Sequence, residues 1–288
     1  MRNYEKSKRS IILFKIDIMI SLKESLINRK KNIDVASIAE NDIKEFILAN
    51  YNFLDAPMLH QKISNEKSLI ILKKDGKFSV SCRKGLEFKG DAKSLTNDLF
   101  EWDTIDGHFL ISSKSITSLK GCPKVINGQF SLFNTKSLKT LEYFPTSVKY
   151  DIRLIGCIAL TSLKGMPKSI NGPLHIITCA LKDLKGCPDR IKNGLFMTAC
   201  LDLKSMEGCP TWVGFAVEFE ACGIEEFDDC ITGVEGNLVI HKCIYLKDIS
   251  GLKTSVHGTT RIEDCSELSK EDIKQHAKKY PGLHVRLV

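Results

Sequence analysis

Residues 159–222 read ALTSLKGMPKSINGPLHIITC, ALKDLKGCPDRIKNGLFMTAC and LDLKSMEGCPTWVGFAVEFEAC when the sequence is divided after each terminal cysteine. The three segments repeat one pattern at a period of 21 to 22 residues. Self-similarity at such a period is the sequence signature of a solenoid. The stretch therefore predicts a stack of similar coils, an architecture that usually serves as a binding surface.

The same pattern extends on both sides of this stretch, over residues 95–265. One apolar position leads each coil and recurs every 21 or 22 residues, at Leu119, Leu141, Leu163, Leu184, Met206, Phe227 and Ile249. Nearer the end of each coil, two mostly apolar residues flank a variable one, as in Leu174-His175-Ile176. This alternation predicts a short strand with one face buried, and stacking the coils aligns these strands into a parallel sheet.

A Lys-Gly-Cys-Pro corner returns the chain in the best-matching coils. Gly121, Gly165, Gly186 and Gly208 suit a backbone with positive φ. The proline two residues later prevents that segment from donating to a strand ladder.

The segments outside the array predict its two ends. Residues 1–63 form a helical subdomain, with helices over 11–28 and over 42–53, the second capped by Asn41. Residues 64–94 form a hairpin around Lys74-Asp75-Gly76 that caps the array, because Asp-Gly between strand-like runs favours a hairpin. Residues 266–288 form a helix, capped by Ser269, and a strand. The expected fold class is α+β, a solenoid with a parallel β-sheet between these two ends.

The repeated string Leu-x-x-Leu-Lys-Gly-Cys-Pro-x-x-Ile-x-Gly-x-Leu-x-Ile-x-x-Cys resembles leucine-rich repeats, and more narrowly the short repeats in uncharacterised proteins of tailed bacteriophages. The best matches are Ser118–Gly128, Ser162–Gly172 and Leu184–Gly194. It is also similar to the short-repeat arrays of bacterial secreted effectors. The resemblance implies a parallel sheet whose open face binds proteins, and it supplies no catalytic residues. The coils that begin at Phe227 and Ile249 depart from it because they lack the proline.

Charge is concentrated at the N-terminus. The net charge is +7, and residues 1–31 carry nine Lys/Arg against three Asp/Glu. A nucleic-acid-binding alternative would use this basic cluster: Arg2, Lys6, Lys8, Arg9, Arg29, Lys30 and Lys31. Lys15 and Asp17 interrupt the apolar run that follows, which argues against a signal peptide, and no run is long enough to span a membrane. The expected location is cytoplasmic, in the host cell if the chain is phage-encoded.

Ten of the eleven cysteines occupy two repeat positions. The first, here called the cysteine file, holds Cys157, Cys179, Cys200, Cys222, Cys243 and Cys265. The second holds Cys122, Cys187, Cys209 and Cys230. We expect buried, unbridged thiols that pack as small apolar side chains. His241-x-Cys243 lacks the spacing of a zinc site, and Cys179 near His175 lies at an inward turn. The sequence therefore predicts no metal, no cofactor and no enzymatic activity.

The variable strand positions are the candidate binding site. Between the inward pair lies the first outward row: Ser131, Arg153, His175, Phe196, Glu218, Val239 and Arg261. After the pair lies the second outward row: Phe133, Ile155, Ile177, Thr198, Glu220, His241 and Glu263. Apolar residues gather in the early coils and acidic ones later. We predict a protein-binding site at Phe133, Arg153, Ile155, His175, Ile177 and Phe196.

Three alternatives remain open at this point. The N-terminal helices could fold back over Phe133, Ile155 and Ile177 and bury them within the chain. The chain could instead be a nucleic-acid or transcription-machinery-associated factor that works through its basic N-terminus. It could also be a structural component of a virion.

Overall fold

The protein is a solenoid of stacked parallel strands with few helices. The computed structural model describes residues 35–54, 64–74, 76–88, 94–227, 231–252, 255–280 and 285–287. The chain divides into two compact units, residues 1–45 and 46–288, and the second contains the array. The described helices are α1 (Val35–Asn50), α2 (Asn65–Ser68) and α3 (Lys270–Lys279). None of them is long and apolar enough to cross a membrane.

The strands are short and follow one another at the period of the repeat. In chain order they are β1 Tyr51–Leu54, β2 Leu69–Lys74, β3 Lys77–Cys82, β4 Gly85–Phe88, β5 Phe100–Ile105, β6 Phe109–Ile111, β7 Val125–Ile126, β8 Phe130–Phe133, β9 Ser147–Val148, β10 Ile152–Ile155, β11 Ser169–Ile170, β12 Leu174–Ile177, β13 Arg190–Ile191, β14 Leu195–Thr198, β15 Trp212–Val213, β16 Val217–Glu220, β17 Gly233–Val234, β18 Leu238–His241, β19 Ser255–Val256, β20 Thr260–Glu263 and β21 Val285–Leu287.

Eleven of these strands form one sheet, here called the long sheet, in the order β1-β4-β6-β8-β10-β12-β14-β16-β18-β20-β21. From β4 onward every neighbouring pair is parallel. Residues at the same repeat position lie side by side, so that Leu154 pairs with Leu132 and with Ile176. All three side chains have no exposed surface. The predicted parallel sheet with alternating burial is confirmed, because one face of each strand supplies the core.

The return segment of each coil adds a second, two-residue strand. Together with the longer strands β2, β3 and β5, they form two five-stranded sheets, β2-β3-β5-β7-β9 and β11-β13-β15-β17-β19. β9 and β11 do not pair, and a cavity of about 50 Å³ lies between them. In the middle of the array, neighbouring coils are therefore joined by two ladders of strand pairing, one in the long sheet and one on the return side. The coils that contain β9 and β11 are the exception, because only the long sheet joins them.

The corner glycines have the backbone geometry that the repeat predicts. The φ angles of Gly121, Gly165, Gly186 and Gly208 lie between +83° and +109°. Tyr143 occupies the same position in its coil at φ +68°, and its side chain is 62% exposed. A side chain in this conformation carries a conformational cost, which glycine avoids in the other coils.

The N-terminal part of the chain differs from the expected helical subdomain. The helix predicted over residues 11–28 lies outside the described residues. The second helix begins at Val35 instead of 42 and ends at Asn50, and Tyr51–Leu54 is a strand that pairs antiparallel with β4. The predicted helix over residues 51–53 is therefore wrong. The Tyr51 hydroxyl donates to the Leu95 carbonyl, and this buried bond favours a pairing within the long sheet over one more helical turn.

Both ends of the array carry additional elements. At the first end, β2 and β3 form an antiparallel hairpin, and β3 pairs parallel with β5. At the other end the Ser269 hydroxyl accepts a hydrogen bond from the Asp272 amide at 3.0 Å, which starts α3. β21 then pairs with β20 in parallel register. These elements occupy strand edges that would otherwise be open to pairing.

Candidate functional site

The two outward rows lie on the side of the long sheet that faces away from the core. Because each strand is parallel and in register, equivalent residues form continuous rows across the sheet. Ile155 lies directly between Phe133 and Ile177. Neighbouring strands are separated by about 4.8 Å, so these three side chains form one contiguous surface.

The apolar patch consists of Phe133, Ile155, Ile177 and Phe196. Phe133 is 45% exposed, and the other three are half-buried. The structure thus brings together the four apolar residues predicted from the sequence. Leu110 of β6 extends the first outward row by one strand, and sequence reasoning missed it because the repeat is faint in that coil.

His175 and Phe196 form an aromatic stack within the patch. Their ring centroids are 4.9 Å apart and their planes differ by 15°. A Cβ atom at Gly194 would approach the Phe196 ring to 2.4 Å, so the ring lies against this glycine. Burial, followed by the nearby charge of Arg153, lowers the pKa of His175. The imidazole therefore acts as a neutral, flat surface near pH 7.

Arg153 is held beside the patch by an ion pair. Its Nη2 donates to Asp151 Oδ2 at 2.7 Å, while its Nε is buried without a hydrogen-bond acceptor among the described residues. Asp151 precedes the strand, and sequence reasoning had assigned it no role. The pair neutralises the cation on β10, the strand that also carries Ile155.

The later coils carry an acidic end, consisting of Glu218, Glu220, Glu263 and Asp264. His241 lies between two of these carboxylates, with Nε2 3.2 Å from Asp264 Oδ2 and Nδ1 3.8 Å from Glu220 Oε1. Glu263 receives two hydrogen bonds from Arg261, at 2.8 and 3.0 Å. Sequence reasoning missed Asp264 because it sits in the turn after the strand, at φ +55°.

The cysteine file is buried, as predicted. All six of its members are free thiols with at most 8% of their surface exposed. Cys179 Sγ, for example, donates to the carbonyls of Leu154 and Ile177 at 3.5 and 3.6 Å. Burial raises the pKa of Cys243 to about 12, so its thiolate is absent near neutral pH. The six side chains pack the turns that follow the strands of the long sheet.

One cysteine departs from the expectation of unbridged thiols. Cys209, at the second cysteine position, is disulfide-bonded. The expectation of an unbridged thiol is therefore wrong at this position. Cys187 in the preceding coil is a free thiol, and burial raises its pKa to about 12.

Two other surface features lie outside the outward rows. A groove of about 480 Å³ lies beside Tyr143, with Lys120 and Lys124 along its wall. On the return side of later coils, Arg190 stacks over the Trp212 ring at 4.3 Å, and Trp212 Nε1 donates to Glu235. The lysines are exposed, and the Trp212 contacts satisfy its polar groups within the chain. Neither feature has the continuity of the outward rows.

The structure tests the remaining predictions only in part. The basic residues of the nucleic-acid alternative, Arg2, Lys6, Lys8, Arg9, Arg29, Lys30 and Lys31, lie outside the described residues. Within the described ranges, no group of three or more His, Cys, Asp or Glu side chains could hold a metal ion. No protein-family model, curated protein or solved structure matches this chain. The geometry of the outward rows is therefore the basis for assigning a function.

Proposed function

We propose that this chain is a leucine-rich-repeat-like scaffold that binds another protein on the outward face of the long sheet and catalyses no reaction. The observation that carries the proposal is the apolar patch of Phe133, Ile155, Ile177 and Phe196. Contiguous exposed apolar surface bordered by charged residues is characteristic of protein-binding sites.

The rigidity of the sheet supports this function. Each strand of the patch is hydrogen-bonded on both sides, and the inward residues Leu154 and Ile176 are fully buried. The outward side chains are therefore held in place before a partner arrives, which reduces the entropy lost on binding.

The expected location and partner follow from the same features. Nine described cysteines are free thiols, which supports a reducing cytoplasm, and Cys209 is the exception. The resemblance to short-repeat phage proteins supports a host or phage protein as the partner, met in the host cytoplasm.

The test compares two double variants of the tagged full-length chain. The patch variant combines Ile155→Asp with Ile177→Asp and places charge in the patch. The turn variant combines Ile158→Asp with Ile244→Asp and places the same charge on exposed turns outside the outward rows. Affinity purification from expressing cells, followed by quantitative mass spectrometry, should recover a partner with the native chain and the turn variant and lose it with the patch variant. Circular dichroism checks that both variants fold. Equal recovery with both variants would refute the function.

A further inference from the structure

The outward face changes in character along the stack. The apolar patch occupies β8 to β14, whereas Glu218 and Glu220 lie side by side on β16, the next strand. Both glutamates are half-buried. A partner long enough to cover the patch therefore reaches these carboxylates.

The charges facing this part of the sheet leave an acidic surplus. Arg153 is neutralised by Asp151, and Arg261 by Glu263. Within the described part of the chain, Glu218 forms no ion pair, and Glu220 approaches only the imidazole of His241 at 3.8 Å. The residues paired with Glu220 on the neighbouring strands are Thr198 and His241, and those paired with Glu218 are Phe196 and Val239. The exposed Lys242 follows β18 in the chain, and Asp264 approaches the other side of the His241 ring. The surface beyond the patch is thus negative near neutral pH.

Covering these carboxylates has a chemical consequence for the partner. A carboxylate removed from water without a cationic or hydrogen-bonding partner is strongly disfavoured. A partner with only apolar or acidic side chains at this position would lose affinity there. A Lys or Arg side chain would compensate for the desolvation and select the orientation of binding.

On the basis of the proposed function, we propose that the partner is a protein segment that crosses the strands, with apolar side chains on the patch and Lys or Arg side chains paired with Glu218 and Glu220. Ile177 and Glu220 are in the second outward row on β12 and β16, two strand steps apart, which corresponds to about 10 Å. An extended segment rises about 3.3 Å per residue, so the cationic residue lies about three residues beyond the last apolar one.

A displayed library of random 12-residue peptides, selected on the immobilised full-length chain, tests the spacing and the charge together. The baits are the native chain, Glu218→Gln with Glu220→Gln, and Ile155→Asp with Ile177→Asp. A control bait, Glu207→Gln with Glu225→Gln, removes two carboxylates that pair with lysines outside the outward rows. Thermal melts establish that each bait is folded.

The expected peptides combine apolar residues with Lys or Arg about three positions away. They bind the native and control baits, fail on the patch variant, and bind the Glu218→Gln, Glu220→Gln variant at least tenfold more weakly. Patch-dependent peptides without a cationic preference would overturn the inference and leave the proposed function standing. If no peptide depends on the patch, both fail. A dimer that dissociates on Ile155→Asp substitution would assign the face to a second copy and also overturn the inference.

Discussion

Leu154 and Ile155 are consecutive residues that the structure places on opposite faces of the same strand, and replacing each by alanine tests this placement. Leu154 has no exposed surface and lies between Leu132 and Ile176 of the neighbouring coils. Truncating a fully buried leucine removes its transfer free energy and leaves a cavity, which costs about 3 to 4 kcal/mol. Ile155 is half-buried and faces outward. Its truncation to alanine leaves no cavity and costs about 1 kcal/mol, because the three carbon groups that are removed are only partly buried.

Urea unfolding followed by circular dichroism measures the difference. With a slope of about 3 kcal/mol per molar urea, Leu154→Ala lowers the midpoint by about 1 M and Ile155→Ala by about 0.3 M. The pair Ile176→Ala and Ile177→Ala should repeat the contrast on the next strand. A register shifted by one residue would exchange the two faces. Equal losses within each pair, or larger losses for the outward residues, would refute the assignment of inward and outward rows.

Three further predictions concern the turns, the thiols and the C-terminal helix. Gly156 has φ +65°, where a side chain costs about 1 to 2 kcal/mol, so Gly156→Ala should lower the melting temperature by roughly 4 °C. Ala221 already has φ +51°, so Ala221→Gly should not lower the melting temperature. Equal effects of the two substitutions would contradict this prediction. Burial raises the pKa of Cys243 to about 12, above the value of about 8.5 for an unfolded cysteine. The stability that the neutral Cys243 thiol contributes is therefore complete below pH about 8.5 and is lost as the pH rises towards 12. The urea midpoint should therefore fall more steeply between pH 9 and 11 for the native chain than for Cys243→Ala, and parallel curves would exclude the effect. Ser269→Ala removes the cap of α3 and should cost about 1 kcal/mol in urea unfolding, while an unchanged midpoint would show that the cap is dispensable.

The architecture of the array was predictable because the repeat encodes both its period and its burial. In Leu174-His175-Ile176, the alternation of apolar and variable residues indicates that Leu174 and Ile176 face the core. Parallel stacking then places each residue beside the equivalent residue of the preceding coil. The corner glycines were predictable for a similar reason, since a positive φ restricts the residue type. Tyr51 was not: its position fits both a helical face and a strand, and only its distant contacts with Leu95 and β4 favour the strand.

The residues of the candidate site could be predicted from the sequence, but most of the contacts between their side chains could not. Alternation alone places Ile155 and Ile177 outward. The stack of His175 on Phe196 and the position of His241 between two carboxylates depend on side-chain rotamers in different coils, about which a single sequence is silent.

The missing pairing between β9 and β11 has a consequence for how the array deforms. At that one step the coils are joined by the long sheet without a second ladder, and the small cavity removes packing as well. The same step links β10 to β12, which carry Ile155 and Ile177. Under bending or pulling, the array should therefore yield first on the return side of this step, while the pairing of β10 with β12 keeps Ile155 and Ile177 in register. Amide hydrogens of residues 169–171 should correspondingly exchange with solvent faster than those of residues 190–192.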